Sequence, residues 1–231
     1  MRVLDVGCGV GDVAMLAARI VGTTGSIVGI DLNPESIALA RRRAVEGGYK
    51  TIEFKEISLH EFEERRAFDF AVGRYVLIHQ ADSAAAVRQI AKSVKPNGTV
   101  AIHELAAHLG LRSYPPVALW EQVGEWLAAF TRAGANPYAA MQIPRCLERA
   151  GLIDVDAFCE TPVAYGKHPH LYAWVAETQR TLLPTYVERG IVSAEELDVD
   201  TLALRLESAV VAAGSLVMAW PQVCGWATAA E

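Results

Sequence analysis

The residues best placed to do chemistry lie close to the start of the chain. Asp5-Val6-Gly7-Cys8-Gly9-Val10-Gly11-Asp12 sets three glycines on alternate positions between two carboxylates. Glycines at a strand-to-helix turn let backbone approach a ligand closely. The dinucleotide fingerprint is G-x-G-x-x-G/A, with a pyrophosphate on the helix N-terminus. Counted from Gly7 and Gly9, its third glycine would fall at Asp12, whose carboxylate would repel a pyrophosphate. The spacing here is G-x-G-x-G, which suits a ligand with cationic groups and no phosphate. S-adenosylmethionine, with an ammonium and a sulfonium, fits that description and makes Asp5 and Asp12 sensible neighbours. Asp31, about 20 residues past the loop, can accept both hydroxyls of a ribose. The plain alternative is a tight glycine turn with Asp12 capping a helix.

These residues need elements to hold them. Arg2-Val6 is an apolar run and is expected as a buried parallel strand, followed by a helix over Asp12-Ile20 that ends at Gly22 and Gly25. Further strands are expected at Ser26-Asp31, Ile52-Ile57, Phe68-Gly73 and Thr99-Glu104, with helices at Pro34-Val45 and Asp82-Val94. The second of these helices is stopped by the turn Lys95-Pro96-Asn97-Gly98. Past Glu104, helices are expected at Pro116-Ala133, Ile143-Ala150, Leu171-Glu188 and Ala194-Ala213. Asp154-Glu160 and Ser215-Trp220 read as the sixth and seventh strands. The alternation predicts an α/β fold: a doubly wound, mostly parallel seven-stranded sheet with added C-terminal helices. Residues 1–104 form the cofactor-binding core, and 105–231 complete the sheet and add a helical cap in one overall domain. Ligands of such sheets bind outside the carboxyl ends of the strands.

VLDVGCGVGD, IVGIDLNPESIALARRRA, FDFAVGRYVLIHQAD and VKPNGTVAIHE together resemble the class I S-adenosylmethionine-dependent methyltransferases of the small-molecule type. The resemblance is specific over residues 2 to 104 and general beyond. It implies a Rossmann-like methyltransferase fold, with Asp5, Gly7, Cys8, Gly9 and Gly11 around the methionine part of the cofactor and Asp31 on its ribose. It also implies Leu32 packing on adenine, and places Ser58, flanked by Ile57 and Leu59, where an adenine-binding Asp usually stands. Arg74 matches the position whose backbone faces the methionine amino group. Members usually carry helices before the first strand. Nothing precedes Met1 here, so an unusually open pocket or weak cofactor binding is expected. No Asn-Pro-Pro-Tyr/Phe follows the fourth strand, which lowers the weight of amide and exocyclic nitrogens as acceptors.

Methyl transfer from a sulfonium asks mainly for alignment, and a general base helps with hydroxyl or protonated amine acceptors. His103, Glu104 and His79 are the candidate bases at strand ends, and alternation turns His103 and Glu104 to opposite faces. Tyr75 and Trp120 are candidate substrate contacts. Trp120, Trp126, Phe130, Tyr138 and Met141 suit an aromatic cap over a small organic acceptor, or equally the packing face of helices. The run Arg41-Arg42-Arg43 reads as a solvated helix face. His168 and His170 lack partners for a metal, so none is expected.

A net charge of -6 argues against nucleic acid as partner. No apolar block reaches the roughly 18 residues of a membrane span. The scattered Cys8, Cys146, Cys159 and Cys224, with no leader before the first strand, suit a cytoplasmic protein. A homodimer through the Leu171-Ala213 helices is one option, a lid the other. The reading is a methyltransferase that acts on O, N or C of a small acceptor and releases S-adenosylhomocysteine. The alternatives are a non-methylation reaction on the same scaffold, or a non-catalytic cofactor-binding module.

Overall fold

The apolar runs that alternate with helical periodicity become the strands of one sheet in the computed structural model, which describes all residues except 133 and 135. Strands β1 (Arg2–Val6), β2 (Ser26–Asp31), β3 (Ile52–Glu56), β4 (Phe68–Arg74) and β5 (Val94–Leu105) are joined in it by β7 (Leu152–Glu160) and β10 (Gln222–Ala229), in the order β3-β2-β1-β4-β5-β10-β7. The β1–β2, β1–β4, β2–β3 and β4–β5 pairings are parallel. From β1 the chain builds outward to β2 and β3, then returns to place β4 on the other side. The direction of winding therefore reverses at β1 and β4, and a crevice opens at their carboxyl ends.

Helix α1 (Asp12–Val21) and α2 (Pro34–Glu46) enclose a core on one face of the sheet, with Met15, Ile27, Ile37, Ala40 and Phe54 at its centre. Asn33 caps α2 by accepting the N–H groups of Glu35 and Ser36, and Pro34 takes the first turn, where no N–H is needed. Asp82 caps α3 (Ser83–Ser93) by accepting the N–H of Ala85 at 2.9 Å.

The chain divides into two compact units. One comprises Met1–Glu104, Ala139–Phe158 and Val223–Glu231; the other comprises Leu105–Tyr138 and Cys159–Gln222. The second holds the helices α4 (Ala118–Arg132), α6 (Pro169–Glu188), α7 (Ala194–Leu197) and α8 (Val199–Ala213), while α5 (Ala139–Arg149) belongs to the first. Its interior is aromatic: Trp120 meets Tyr172 edge-on, Phe130 meets Tyr186 and Trp174 meets Trp220. Tyr138 and Met141 are exposed, unlike Trp120, Trp126 and Phe130.

Several boundaries differ from expectation for physical reasons. The seventh strand of the sheet is β10, not Ser215-Trp220. Leu216–Met218 is instead β9, the middle of a small antiparallel sheet with β6 (Arg112–Tyr114) and β8 (Val163–Tyr165). Gly225 hides β10 in the sequence by breaking its pattern. A Cβ there would lie 2.5 Å from Ile143 Cγ2, so the strand gives up a side chain to let α5 approach. Strand β5 starts at Val94 rather than Thr99. The Lys95–Gly98 turn is an excursion within it, and the register against β4 jumps from Phe68↔Val94 to Phe70↔Thr99. The helix expected over Ala194-Ala213 is broken at Asp198, which takes a left-handed φ of 41° that Asp tolerates. The expected end of α4 at Ala133 lies outside the described residues.

Candidate functional site

The glycine loop leaves β1 and enters α1 with all three glycines at positive φ. Gly11, at φ 87°, could not carry a side chain, because a Cβ would stand 2.8 Å from the Phe54 ring. Gly9 faces open space, with nothing within 4 Å of a built Cβ. The loop is tied from two sides. Asp31 Oδ2 accepts the Gly9 N–H at 2.9 Å and Asp31 Oδ1 accepts the Asn33 N–H at 2.8 Å, so one carboxylate joins the ends of β1 and β2. On the other side Arg43 donates to the Val10 carbonyl and pairs with Asp12, both at 2.7 Å.

Arg43 corrects the reading of Arg41-Arg42-Arg43 as a solvated face. Arg41 stays exposed while its guanidinium donates to the Phe54 carbonyl at 2.7 Å. Arg42 is exposed too, facing Glu46 at 3.8 Å. Arg43 also changes the electrostatics. Asp12 is paired, whereas Asp5 and Asp31 make no ion pair among the described residues.

A cavity of about 200 Å3 is lined by Asp5, Gly7, Cys8, Gly9, Asp12, Arg74 and Tyr75, among others. Asp5 is 1% exposed, and its Oδ2 has no hydrogen-bond partner among the described residues. Burial lifts its pKa to about 7, against the Ala14 N–H and the Arg74 guanidinium, which pull it down. A cation entering the cavity would restore the ionised form. Burial also pushes the Cys8 thiol far up, which keeps it protonated and unreactive.

Tyr75 closes the cavity at the end of β4. It holds a left-handed φ of 59°, unusual for a bulky residue, fixed by its N–H donating to the His103 carbonyl at 2.8 Å. Its ring stacks on His103 with centroids 5.6 Å apart, and the Arg74 guanidinium lies 5.1 Å from its centroid. Burial raises its phenol pKa to about 12.

The other expected residues lie as follows. Glu104 is on the opposite face of β5 from His103 and fully buried. Its Oε1 accepts the Leu77 N–H at 2.6 Å, and it also draws on the N–H groups of Val76 and Ile78. It grips the turn after Tyr75 and does not line the cavity. His79, in that turn, is exposed, and partial desolvation lowers its pKa. Leu32 is 70% exposed beside Asp31. The Ile57 N–H donates to the Asp31 carbonyl, and Leu59 is buried. The Ser58 hydroxyl is engaged by Glu61 at 2.7 Å, as the cap of a short turn. Trp120 lies in the other unit, fully buried, its indole N–H donating to the Met218 carbonyl. Among the described residues no three His, Cys, Asp or Glu side chains gather as metal ligands, and no helix is long and apolar enough to cross a membrane.

A family model described as a methyltransferase domain matches residues 1–150. The chain belongs to the methyltransferase-domain family. Among curated relatives of this methyltransferase-domain chain, the ubiquinone biosynthesis O-methyltransferase of Burkholderia vietnamiensis is 31% identical over 66% of this chain and 62% of its own. Aklanonic acid methyltransferase of a Streptomyces species is 35% identical over 43% of this chain and 46% of its own. The chain spans between 40% and 64% of the length of the curated relatives first matched. The fold is shared with phosphoethanolamine N-methyltransferase 2 of Haemonchus contortus, solved with phosphomonomethylethanolamine and S-adenosylhomocysteine. That match has a TM-score of 0.62 at 21% identity, over all of this chain and 49% of that one.

Proposed function

We propose that this chain binds S-adenosylmethionine at the Gly7–Gly11 loop and transfers its methyl group to a small organic acceptor. The observation that carries the reading is the buried, unpartnered Oδ2 of Asp5 in a cavity floored by glycine backbone. A carboxylate in that position asks for a cation, and the amino-acid end of this cofactor has one. Arg74, in the same cavity, is suited to its carboxylate. Asp31 keeps lone pairs beyond its two backbone bonds and would hold the ribose. Leu32, Ile57 and Leu59 would enclose the adenine, with Ser58 at that end acting through backbone, since its hydroxyl is taken.

When bound, the sulfonium supplies an electrophilic methyl group. The chain's own task is to align and to handle a proton. Tyr75 lines the cavity and stacks on His103, and His103 would take the proton of a hydroxyl or ammonium acceptor. His79, whose pKa is lowered by desolvation, is the second candidate for that proton. Glu104 positions the turn that carries His79. The names of the two curated relatives support a small organic acceptor, and that from ubiquinone biosynthesis supports oxygen. The free thiols of Cys8, Cys146 and Cys159 support a reducing, cytoplasmic setting.

The test is incubation with methyl-labelled S-adenosylmethionine and a panel of small phenols, hydroxy acids and amines. Label should enter an extractable organic product with equimolar S-adenosylhomocysteine. No label in any acceptor, with the cofactor bound but unchanged, would count against a transferase.

A further inference from the structure

A basic hollow lies at the opposite end of the strands from the glycine loop. A cavity of about 510 Å3 opens there, where β4, β5 and β7 begin and β10 ends, all within the first unit. Arg65, Arg66, Arg88 and Lys92 line it, and no carboxylate side chain does among the described residues. Val94, Pro96 and Leu152 give it an apolar floor. In a chain of net charge -6, four cations around one hollow run against the bulk composition.

The backbone arranges this convergence. Arg66 holds a left-handed φ of 48°, and its N–H donates to the Lys92 carbonyl at 2.9 Å. In an extended strand consecutive side chains diverge, whereas this turn lets both Arg65 and Arg66 face the cavity. Arg88 and Lys92 are one helical turn apart on α3 and share a face, at the cost of like-charge repulsion. The available compensation is slight. Arg88 faces Asp82 at 3.8 Å, Lys92 bonds Gln89 at 3.2 Å, and Arg65 and Arg66 make no ion pair among the described residues. Lys92 also suits the C-terminal end of α3, but that helix dipole explains none of the three arginines.

We infer that this cavity binds a small phosphate-bearing anion, a diphosphate or phosphate ester, with its charge on the four cations and its carbon body on Val94, Pro96 and Leu152. Planar guanidinium groups pair with phosphate oxygens two at a time, and the volume is that of a small-molecule site rather than a polymer track. The site stands apart from the glycine loop and does not depend on the function proposed there.

Calorimetry on the full chain with inorganic pyrophosphate, in 0.15 M NaCl to screen unspecific attraction, tests this. Saturable binding is expected. The double variants Arg65→Ala/Arg66→Ala and Arg88→Ala/Lys92→Ala should each weaken it at least tenfold, about 1.4 kcal/mol, with melting temperature and S-adenosylhomocysteine titration unchanged. All four side chains are exposed, so folding should survive. No heat with millimolar pyrophosphate would overturn the inference, as would equal binding by both variants. Binding of a single-stranded oligonucleotide without pyrophosphate would reassign the patch to a polymer and overturn it too.

Discussion

Replacing Asp31 with alanine should weaken S-adenosylmethionine binding by at least a hundredfold while leaving the chain folded. The carboxylate does two jobs. It fixes the loop through the Gly9 N–H, and it is the group proposed to accept the ribose hydroxyls. Hydrogen bonds to a charged group contribute about 1.5–3 kcal/mol each, and every 1.4 kcal/mol is tenfold in affinity. Loss of two ribose bonds alone accounts for roughly two decades. Folding is spared because Asn33, not Asp31, caps α2. Asp31→Asn should fall short of rescue, since an amide has one acceptor oxygen for two backbone donors and turns its NH2 toward one of them. Calorimetry with circular dichroism decides it. An affinity within fivefold of wild type in a folded Asp31→Ala protein would remove Asp31 from the site.

The second large effect is on stability and its dependence on pH. Burial raises the Glu104 pKa to about 7, opposed by the N–H groups of Leu77, Val76 and Ile78. The unfolded value is near 4.3. Between these values the folded chain holds a proton that the unfolded chain has released, so stability falls as pH rises. Asp5 acts in the same sense, its folded pKa also being about 7. From pH 6 to pH 8 each group should lower the unfolding free energy by roughly 1 kcal/mol. Glu104→Gln imitates the protonated form, keeps an acceptor for the Leu77 N–H, and should remove about half of that slope. Glu104→Ala leaves the turn's donors without their acceptor and opens a cavity, at a cost of roughly 3 kcal/mol at pH 6, and about 1 kcal/mol less at pH 8, because the variant no longer carries the group that titrates. Urea unfolding of the three proteins at pH 6 and pH 8 measures both. A wild type that grows more stable toward pH 8, or an alanine variant within 1 kcal/mol of wild type, would contradict this role.

The parts of the fold legible in the sequence are those with local signals. Buried runs such as Arg2–Val6 and Ser26–Asp31, broken by glycines and followed by helical spacing, give the parallel half of the sheet directly. The loop and Asp31 were legible for the same reason. What escaped depends on contacts distant in sequence. Strand β10 is disguised by Gly225, whose missing side chain makes sense only beside Ile143. Arg43 sits in a run of three arginines with ordinary surface spacing, and only the approach of α2 to the loop distinguishes it from Arg42. Alternation on β5 separates His103 from Glu104, but nothing local shows that Glu104 is sealed beneath a turn 27 residues earlier in sequence. The spacing puts Asp5 and Asp12 alike at the ends of the loop, and only the fold shows that Asp12 is paired with Arg43 while Asp5 is buried with an unpartnered oxygen.

The most direct measurement is a pair of calorimetric titrations of the wild-type chain at pH 8, where Asp5 is mostly ionised, one with S-adenosylmethionine and one with NADH. Saturable one-to-one heat from the first and none from the second is the result expected of a glycine cavity whose unpaired charge is a carboxylate. Saturable heat from NADH with none from S-adenosylmethionine would contradict it.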